Sequence, residues 1–213
     1  MNIDMKKHIW AIAATILMAS TVNIVSCTKD NTLNEAQNGQ SQQQKSIKSE
    51  DEIVIAEWSG KGVTFRFDKE QVLSSIQSQL KDSLEMTCIM EDIRIYIKDV
   101  DRMKVPVVEI SYFDIDQESS VTMFGILRKL GGDSSPVMLA LGCDEICARC
   151  VGVNCKKGCN DILLQSSGGV VTVIGCTACT EPYDPKKSYW CDFKITQRLI
   201  SNLIFRSFQT CMI

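Results

Sequence analysis

A dense cysteine cluster in the C-terminal half constrains this chain more than any other feature. Eight of the 11 cysteines fall between residues 143 and 191, and two of the spacings are CxxC. At this density the region can be held together by disulfide bridges or by a thiolate metal site, or it can carry a reactive dithiol. The eight cysteines are Cys143, Cys147, Cys150, Cys155, Cys159, Cys176, Cys179 and Cys191.

The N-terminal segment bears on this choice, because it indicates the compartment. Lys6 and Lys7 precede an uncharged stretch over residues 9–25, which ends at the small residue Ser26. A positive start, a short apolar centre and a small residue at the cleavage point are typical of a secretory signal. A membrane-spanning helix would need ~20 predominantly apolar residues. We therefore predict a signal peptide over residues 1–26.

The end of this segment, Ile24-Val25-Ser26-Cys27, resembles the lipobox of bacterial lipoproteins. The resemblance covers about residues 1–30. It implies that the signal is cut before Cys27 and that Cys27 carries a covalent lipid such as palmitate. The protein would then be held at a membrane of the bacterial cell envelope. In Gram-negative lipoproteins an Asp after the cysteine resembles an inner-membrane retention signal. Thr28 stands there instead, which favours the outer membrane, on its periplasmic or surface face.

Removal of the signal changes which chemistry is available. The only histidine, His8, is lost, so the mature chain has no Ser-His-Asp or Cys-His pair and no histidine-ligated zinc. This composition favours a protein that is not an enzyme. The remaining formal net charge is −4, since Asp4, Lys6 and Lys7 leave with the signal. A mildly acidic chain without a basic run argues against nucleic acid as a partner.

The mature chain divides by composition into three parts. Residues 27–52 are rich in Gln, Asn and Ser, which predicts a disordered tether with a reach of roughly 25–30 Å. Residues 53–135 carry the patterns of an α+β domain. Residues 136–213 form a cysteine-rich module that ends in a helix.

The α+β patterns begin with a helix. Asp68 is a typical N-cap, Gln71 completes a capping box, and apolar spacing continues to about Leu84. Strands are predicted on either side of this helix from alternating or β-branched residues. The fold class predicted is therefore α+β, with one helix packed on an antiparallel sheet. The predicted strands are Val63–Phe67, Ile93–Ile97, Val105–Phe113 and Val121–Leu130.

Periodic patterns also occur in the C-terminal module. Pro136–Leu141 and Val170–Ile174 indicate strands inside or beside the cysteine cluster. The final segment has apolar residues at helical spacing, and few positive charges accompany them. We expect this face to dock on the core rather than on a membrane. The face consists of Leu199, Ile200, Leu203, Ile204 and Phe208.

Three interpretations of the cysteines remain open. Export favours disulfides, and ten cysteines stay once Cys27 is lipidated, although the cluster alone allows on the order of 100 pairings. The two CxxC pairs could instead bind zinc or an iron–sulfur cluster through thiolates alone. Thiol–disulfide exchange is the third interpretation, at Cys176–Cys179 or at Cys147–Cys150, where Arg149 would favour a thiolate. Cys88 and Cys211 stand apart from the cluster.

Tyr183, Tyr189 and Trp190 allow two readings as well. They could form an exposed aromatic platform for a sugar or a peptide, or they could pack in the core. The sequence as a whole predicts a lipid-anchored envelope protein with a binding or structural role, stabilised by disulfides, with a protein or glycan as its possible ligand. The alternative is a redox or metal-binding protein that uses the cluster chemically. No cofactor is expected beyond the lipid at Cys27.

Overall fold

The computed structural model describes residues 52–131, 136–143, 145–156, 158–159, 161–179 and 181–212. The predicted signal peptide, Cys27 and nearly all of the predicted tether lie outside these ranges. The strands are β1 Glu52–Trp58, β2 Val63–Phe65, β3 Cys88–Val100, β4 Met103–Asp114, β5 Ser119–Ile126, β6 Arg128–Leu130, β7 Val137–Gly142, β8 Ile146–Val153, β9 Ile162–Ser167, β10 Val170–Cys176 and β11 Trp190–Ile195. The helices are α1 Lys69–Leu84 and α2 Arg198–Thr210.

A five-stranded antiparallel sheet forms the centre of the fold, in the order β11-β8-β5-β4-β3. The predicted antiparallel sheet is confirmed, because β3, β4 and β5 pair in sequence through short connections. The prediction of one strand over Val121–Leu130 is wrong at its end. The strand is interrupted at Leu127, whose amide donates to the carbonyl of Pro106. The following strand, β6, belongs to another sheet.

One side of the central sheet, which we call the helix face, carries the larger apolar core. Side chains alternate along each strand, so Ile93, Ile110 and Met123 lie together on this face, fully buried. Helix α1 packs over β3. Its start is as predicted: the Asp68 carboxylate accepts from the Gln71 amide at 2.9 Å.

Helix α2 completes the cover of the helix face. The predicted docking on the core is confirmed for Ile200, Leu203, Ile204 and Phe208, all buried. Leu199 is the exception, because it is 51% exposed in the first turn. No helix among the described residues is both long enough and apolar enough to span a membrane.

A second antiparallel sheet, in the order β2-β1-β7-β6, also packs against the apolar core of the helix face. Its buried residues, including Ile55 and Leu139, belong to the same apolar cluster as the two helices. Strands from residues 53–135 and from residues 136–213 pair with each other in both of the larger sheets. Two helices with antiparallel sheets make this an α+β fold, as predicted.

The opposite side of the central sheet, the hairpin face, is covered by β9 and β10. These two strands form a separate hairpin joined at the Gly168-Gly169 turn. The apolar cluster between hairpin and sheet is small, and its buried members are Val100, Val105, Val107, Phe124, Cys150, Cys159, Ile162 and Val171. Cysteines are therefore part of this core.

Candidate functional site

Three disulfide bridges join the hairpin face to the sheet. They are Cys150–Cys176, Cys155–Cys179 and Cys159–Cys191, with Cα separations of 6.0, 5.8 and 5.9 Å. These separations lie within the range that a disulfide requires. The prediction that the cluster is a disulfide framework is confirmed for these six cysteines.

Each bridge connects the hairpin, or a loop beside it, to β8, to β11 or to the loop after β8. Cys150 in β8 is bonded to Cys176 at the end of β10, and Cys155 just after β8 is bonded to Cys179 just after β10. Cys159 lies before β9, and its bridge reaches Cys191 in β11. The hairpin and both of its flanking loops are therefore fixed covalently to the two strands β8 and β11.

The other described cysteines lie on or near the helix face, and Cys88, Cys143 and Cys211 contact its core. Cys143 packs against the larger core, and its carbonyl accepts a hydrogen bond of 2.8 Å from the Ser201 hydroxyl. The Cys147 carbonyl, in β8, accepts from the Thr196 amide at 3.0 Å. Cys88 and Cys211 are free thiols. Burial raises the pKa of the Cys88 thiol, and the charges of Asp114 and Asp116 raise it further.

The two chemical alternatives for the cluster gain no support from the geometry. Among the described residues no group of three or more His, Cys, Asp or Glu side chains could hold a metal ion. Cys176 and Cys179 are bonded to different partners, not to each other as in an exchange-active CxxC. A sulfur in a bridge is not a thiolate, so these six are not available as metal ligands.

A polar clip holds the start of the hairpin against β3. Asp161 accepts from the Tyr96 hydroxyl at 3.2 Å and from the Lys98 ammonium, which also donates to the Ile162 carbonyl at 2.7 Å. Beside them Arg94 pairs with the buried Glu109. Burial raises the pKa of Tyr96, and the carboxylates of Glu109 and Asp161 add to the effect. Tyr96 therefore stays neutral and donates its proton.

An exposed aromatic loop leads from β10 to β11. We define it as residues 181–190, so that it ends with Trp190, the first residue of β11. Tyr183, Tyr189 and Trp190 are 54, 49 and 46% exposed. The reading in which these rings pack in the core is wrong, and the reading as a surface group agrees with their exposure.

Asn154 organises this loop from the end of β8. Its backbone has φ 54°, a left-handed conformation that asparagine tolerates better than most residues. Its amide nitrogen donates to the Asp184 carbonyl at 2.8 Å, and its amide oxygen accepts from the Asp184 backbone at 2.9 Å. The Tyr183 amide donates to the Asn154 carbonyl at 3.2 Å. The Cys155–Cys179 bridge fixes the neighbouring residues.

Two lysines lie between the aromatic residues. Lys186 and Lys187 are exposed and form no ion pair within the described part of the chain. Asp184 turns the loop at this point, since its carboxylate accepts from the Lys186 amide at 2.9 Å and its carbonyl accepts from the Lys187 amide at 3.1 Å. The loop thus exposes aromatic rings and two lysines, and it is held by hydrogen bonds to Asn154.

No protein-family model matches this chain, and neither does any curated protein or solved structure. The site must therefore be judged on its own geometry. Reasoning from the sequence missed Asn154 and Asp161, whose roles depend on partners 30 or more residues away. A single asparagine after a strand carries no signal of that kind.

Proposed function

We propose that this chain is an exported protein of a bacterial envelope, anchored by a lipid at Cys27 to the outer membrane. Its folded part serves as a binding module rather than as an enzyme. The aromatic loop is the ligand surface, and the ligand is a glycan. The observation that carries the proposal is the covalent attachment of this loop and its hairpin to the sheet by three bridges.

The bridges support export, because disulfides of this density form and persist in oxidising compartments. The lipobox-like sequence at the N-terminus supports anchoring independently of the bridges. A polar segment between Cys27 and β1 is of the length that would hold the domain clear of a bilayer, with a reach of roughly 25–30 Å.

The composition of the aromatic loop supports a binding role. Tyr and Trp offer large contact areas with few rotatable bonds, so little conformational entropy is lost when a ligand covers them. Asn154 and the Cys155–Cys179 bridge hold the loop before any ligand arrives. Pre-organisation of this kind raises affinity by lowering the cost of ordering on binding. Lys186 and Lys187 favour an acidic glycan over a neutral one.

Metabolic labelling tests the anchor. Cells expressing the full chain are grown with labelled palmitate, and the protein is isolated from the membrane fraction. We expect label on the wild-type chain and none on Cys27→Ser, with Cys88→Ser as the matched control that keeps its label. An unlabelled wild-type chain would contradict the lipid anchor.

A panel of soluble neutral and acidic polysaccharides tests the ligand surface. Binding is measured by calorimetry and by the change in tryptophan fluorescence between the wild type and Trp190→Phe. We expect an acidic polysaccharide to bind the wild type and to lose about tenfold or more in affinity to Tyr183→Ala/Tyr189→Ala. Ile89→Ala removes an exposed apolar side chain elsewhere and should bind like the wild type. Absence of binding across the panel would contradict the glycan proposal.

A further inference from the structure

The outer edge of β11 is an open strand edge. Within the part of the chain that the structure describes, β11 pairs with β8 alone, so its other side is a sheet edge. None of its six residues is buried, whereas every other residue of the adjacent β8, from Ile146, is buried. An exposed edge of this kind can pair with a further strand.

The direction of the backbone groups shows which atoms are available. The Thr196 amide donates to the Cys147 carbonyl, so the backbone N–H of Thr196 points toward β8. Orientation alternates along an antiparallel strand. The N–H and C=O groups of Cys191, Phe193 and Ile195 therefore point away from β8. Among the described residues these groups form no backbone hydrogen bond to another strand.

The other edges of the two larger sheets are protected. β3, at the far side of the central sheet, has a bulge between Met90 and Asp92, and its Tyr96 and Lys98 are clipped to the hairpin at Asp161. The edge strands of the second sheet, β2 and β6, have three residues each. Bulges, charges and short strands are the usual means of blocking an edge. β11 has no bulge and is six residues long, and its two charged residues, Asp192 and Lys194, are of opposite sign.

The charges on β11 select a pairing register with a copy of itself. Asp192 and Lys194 lie on the same side of the strand and form no ion pair with a described residue. In an antiparallel pair of two β11 strands with the two-fold axis at Phe193, Asp192 of each copy lies opposite Lys194 of the other. Axes at Asp192 or at Lys194 would place like charges opposite each other, which is unfavourable.

We propose that two copies of this chain associate through β11 in this register. Phe193 faces Phe193 of the second copy, and Cys191 faces Ile195. These are the residues whose backbone groups are free, so the register also satisfies the edge hydrogen bonds. A two-fold axis makes the contact self-complementary and closes the assembly at a dimer. The two central sheets become one continuous sheet.

Side chains at the ends of the strand add to the contact. The same register places Trp190 opposite Thr196 of the second copy, three residues before the exposed Leu199. Trp190, Ile195 and Leu199 are the exposed apolar residues in and directly after β11. Tyr183 and Tyr189 lie outside the paired segment. Trp190 takes part in both surfaces, so the two proposals are separated by their variants: the charge changes at Asp192 and Lys194 test the dimer, and the changes at Tyr183 and Tyr189 test the ligand surface.

Charge exchange tests the register. The full chain, oxidised and purified in non-ionic detergent, is examined by sedimentation velocity at low ionic strength. We expect the wild type to dimerise with a dissociation constant below about 100 µM. Asp192→Lys and Lys194→Asp should each weaken the dimer about tenfold, since both symmetric pairs become repulsive. Asp192→Lys/Lys194→Asp should restore the wild-type affinity.

Lys61→Asp, in the turn between β1 and β2, is the matched charge control and should dimerise like the wild type. Two measurements establish that each variant is folded: urea denaturation, and a bridge map, by which we mean the identification of the disulfide-linked peptides by mass spectrometry. For the unaltered protein, carbodiimide cross-linking of an equal mixture of 14N and 15N chains should give a mixed-isotope peptide joining Asp192 to Lys194. A wild type that stays monomeric, a double variant that fails to recover, or a dimer without this cross-link would overturn the proposal.

Discussion

The two faces of the central sheet are stabilised in different ways. The helix face is covered by α1, α2 and a second sheet, and its apolar cluster contains 24 buried residues. The hairpin face is covered by two strands, and its cluster contains eight buried residues, two of them bridged cysteines. Where buried apolar area is small, covalent bonds replace it. Small or thinly covered units in exported proteins commonly depend on disulfides for this reason.

Reduction of the three disulfides should have the largest effect, because it should destabilise the hairpin face and leave the helix face folded. The three bridges span sequence separations of 24–32 residues, and loops of that length correspond to about 3–4 kcal/mol each. Reduced protein should lose amide protection in β9 and β10 while α1 and α2 keep theirs. Hydrogen exchange followed by mass spectrometry measures both regions in one sample. Simultaneous loss of protection on both faces would show that the two faces are not stabilised in different ways.

The second prediction addresses the helix face alone. Phe208 is fully buried in α2 and meets the Phe67 ring edge-on, with centroids 5.0 Å apart. Phe208→Ala leaves a cavity and should lower the free energy of unfolding by about 3–5 kcal/mol. The bridges should still form, so the bridge map serves as the control. A loss below about 1 kcal/mol in urea denaturation would show that the helices contribute little.

The third prediction uses a buried phenol on the helix face. Burial raises the pKa of Tyr112 to about 12, although the nearby Arg149 opposes the shift. In the unfolded chain the pKa is near 10. The contribution of Tyr112 is therefore fully present below about pH 10 and is lost as the pH rises toward 12. Stability measured between these values should fall less steeply in Tyr112→Phe than in the wild type.

Tyr96 on the hairpin face provides the comparison for this measurement. Its pKa is also raised, and it donates to Asp161. Tyr96→Phe should likewise reduce the alkaline slope, and it should also loosen the start of β9. An alkaline slope unchanged in both variants would mean that neither phenol stays neutral when folded.

The smallest expected effect concerns the start of α1. Asp68→Ala removes the side-chain cap on the Gln71 amide and should cost about 1 kcal/mol. Asp68→Asn keeps an accepting oxygen and should cost less. Exchange in β9 and β10 should stay the same in both variants, because the cap acts on the other face. A change in the hairpin would show that the two faces are coupled.

Much of the helix face could be predicted from the sequence, because its signals are local. Asp68 with Gln71 marks the start of α1, and the alternation at Ile93 and Ile95 marks β3. Patterns of this kind do not depend on distant partners. The break at Leu127 was missed, since it results from a hydrogen bond to Pro106 and from a change of sheet.

The hairpin face was harder to predict, for two physical reasons. β8 contains Cys150 and Gly152, which do not show the alternation of a half-exposed strand. Cys150 is bonded to Cys176 in β10, and Gly152 has no room for a side chain: a Cβ there would meet the Cys155 Cβ at 2.9 Å and the Gly158 Cα at 3.1 Å, in the loop that follows β8. The pairing of the cysteines depends on this packing, so their spacing along the chain could not determine it.

Covalent bridges hold the hairpin and the aromatic loop to the sheet. Mass spectrometry of the exported protein, alkylated without reduction and then digested, measures these bridges directly. We expect three linked peptide pairs, Cys150–Cys176, Cys155–Cys179 and Cys159–Cys191, with no alkylation at these six residues. Alkylated thiols at these positions, together with bound zinc or iron in the native protein, would contradict this expectation.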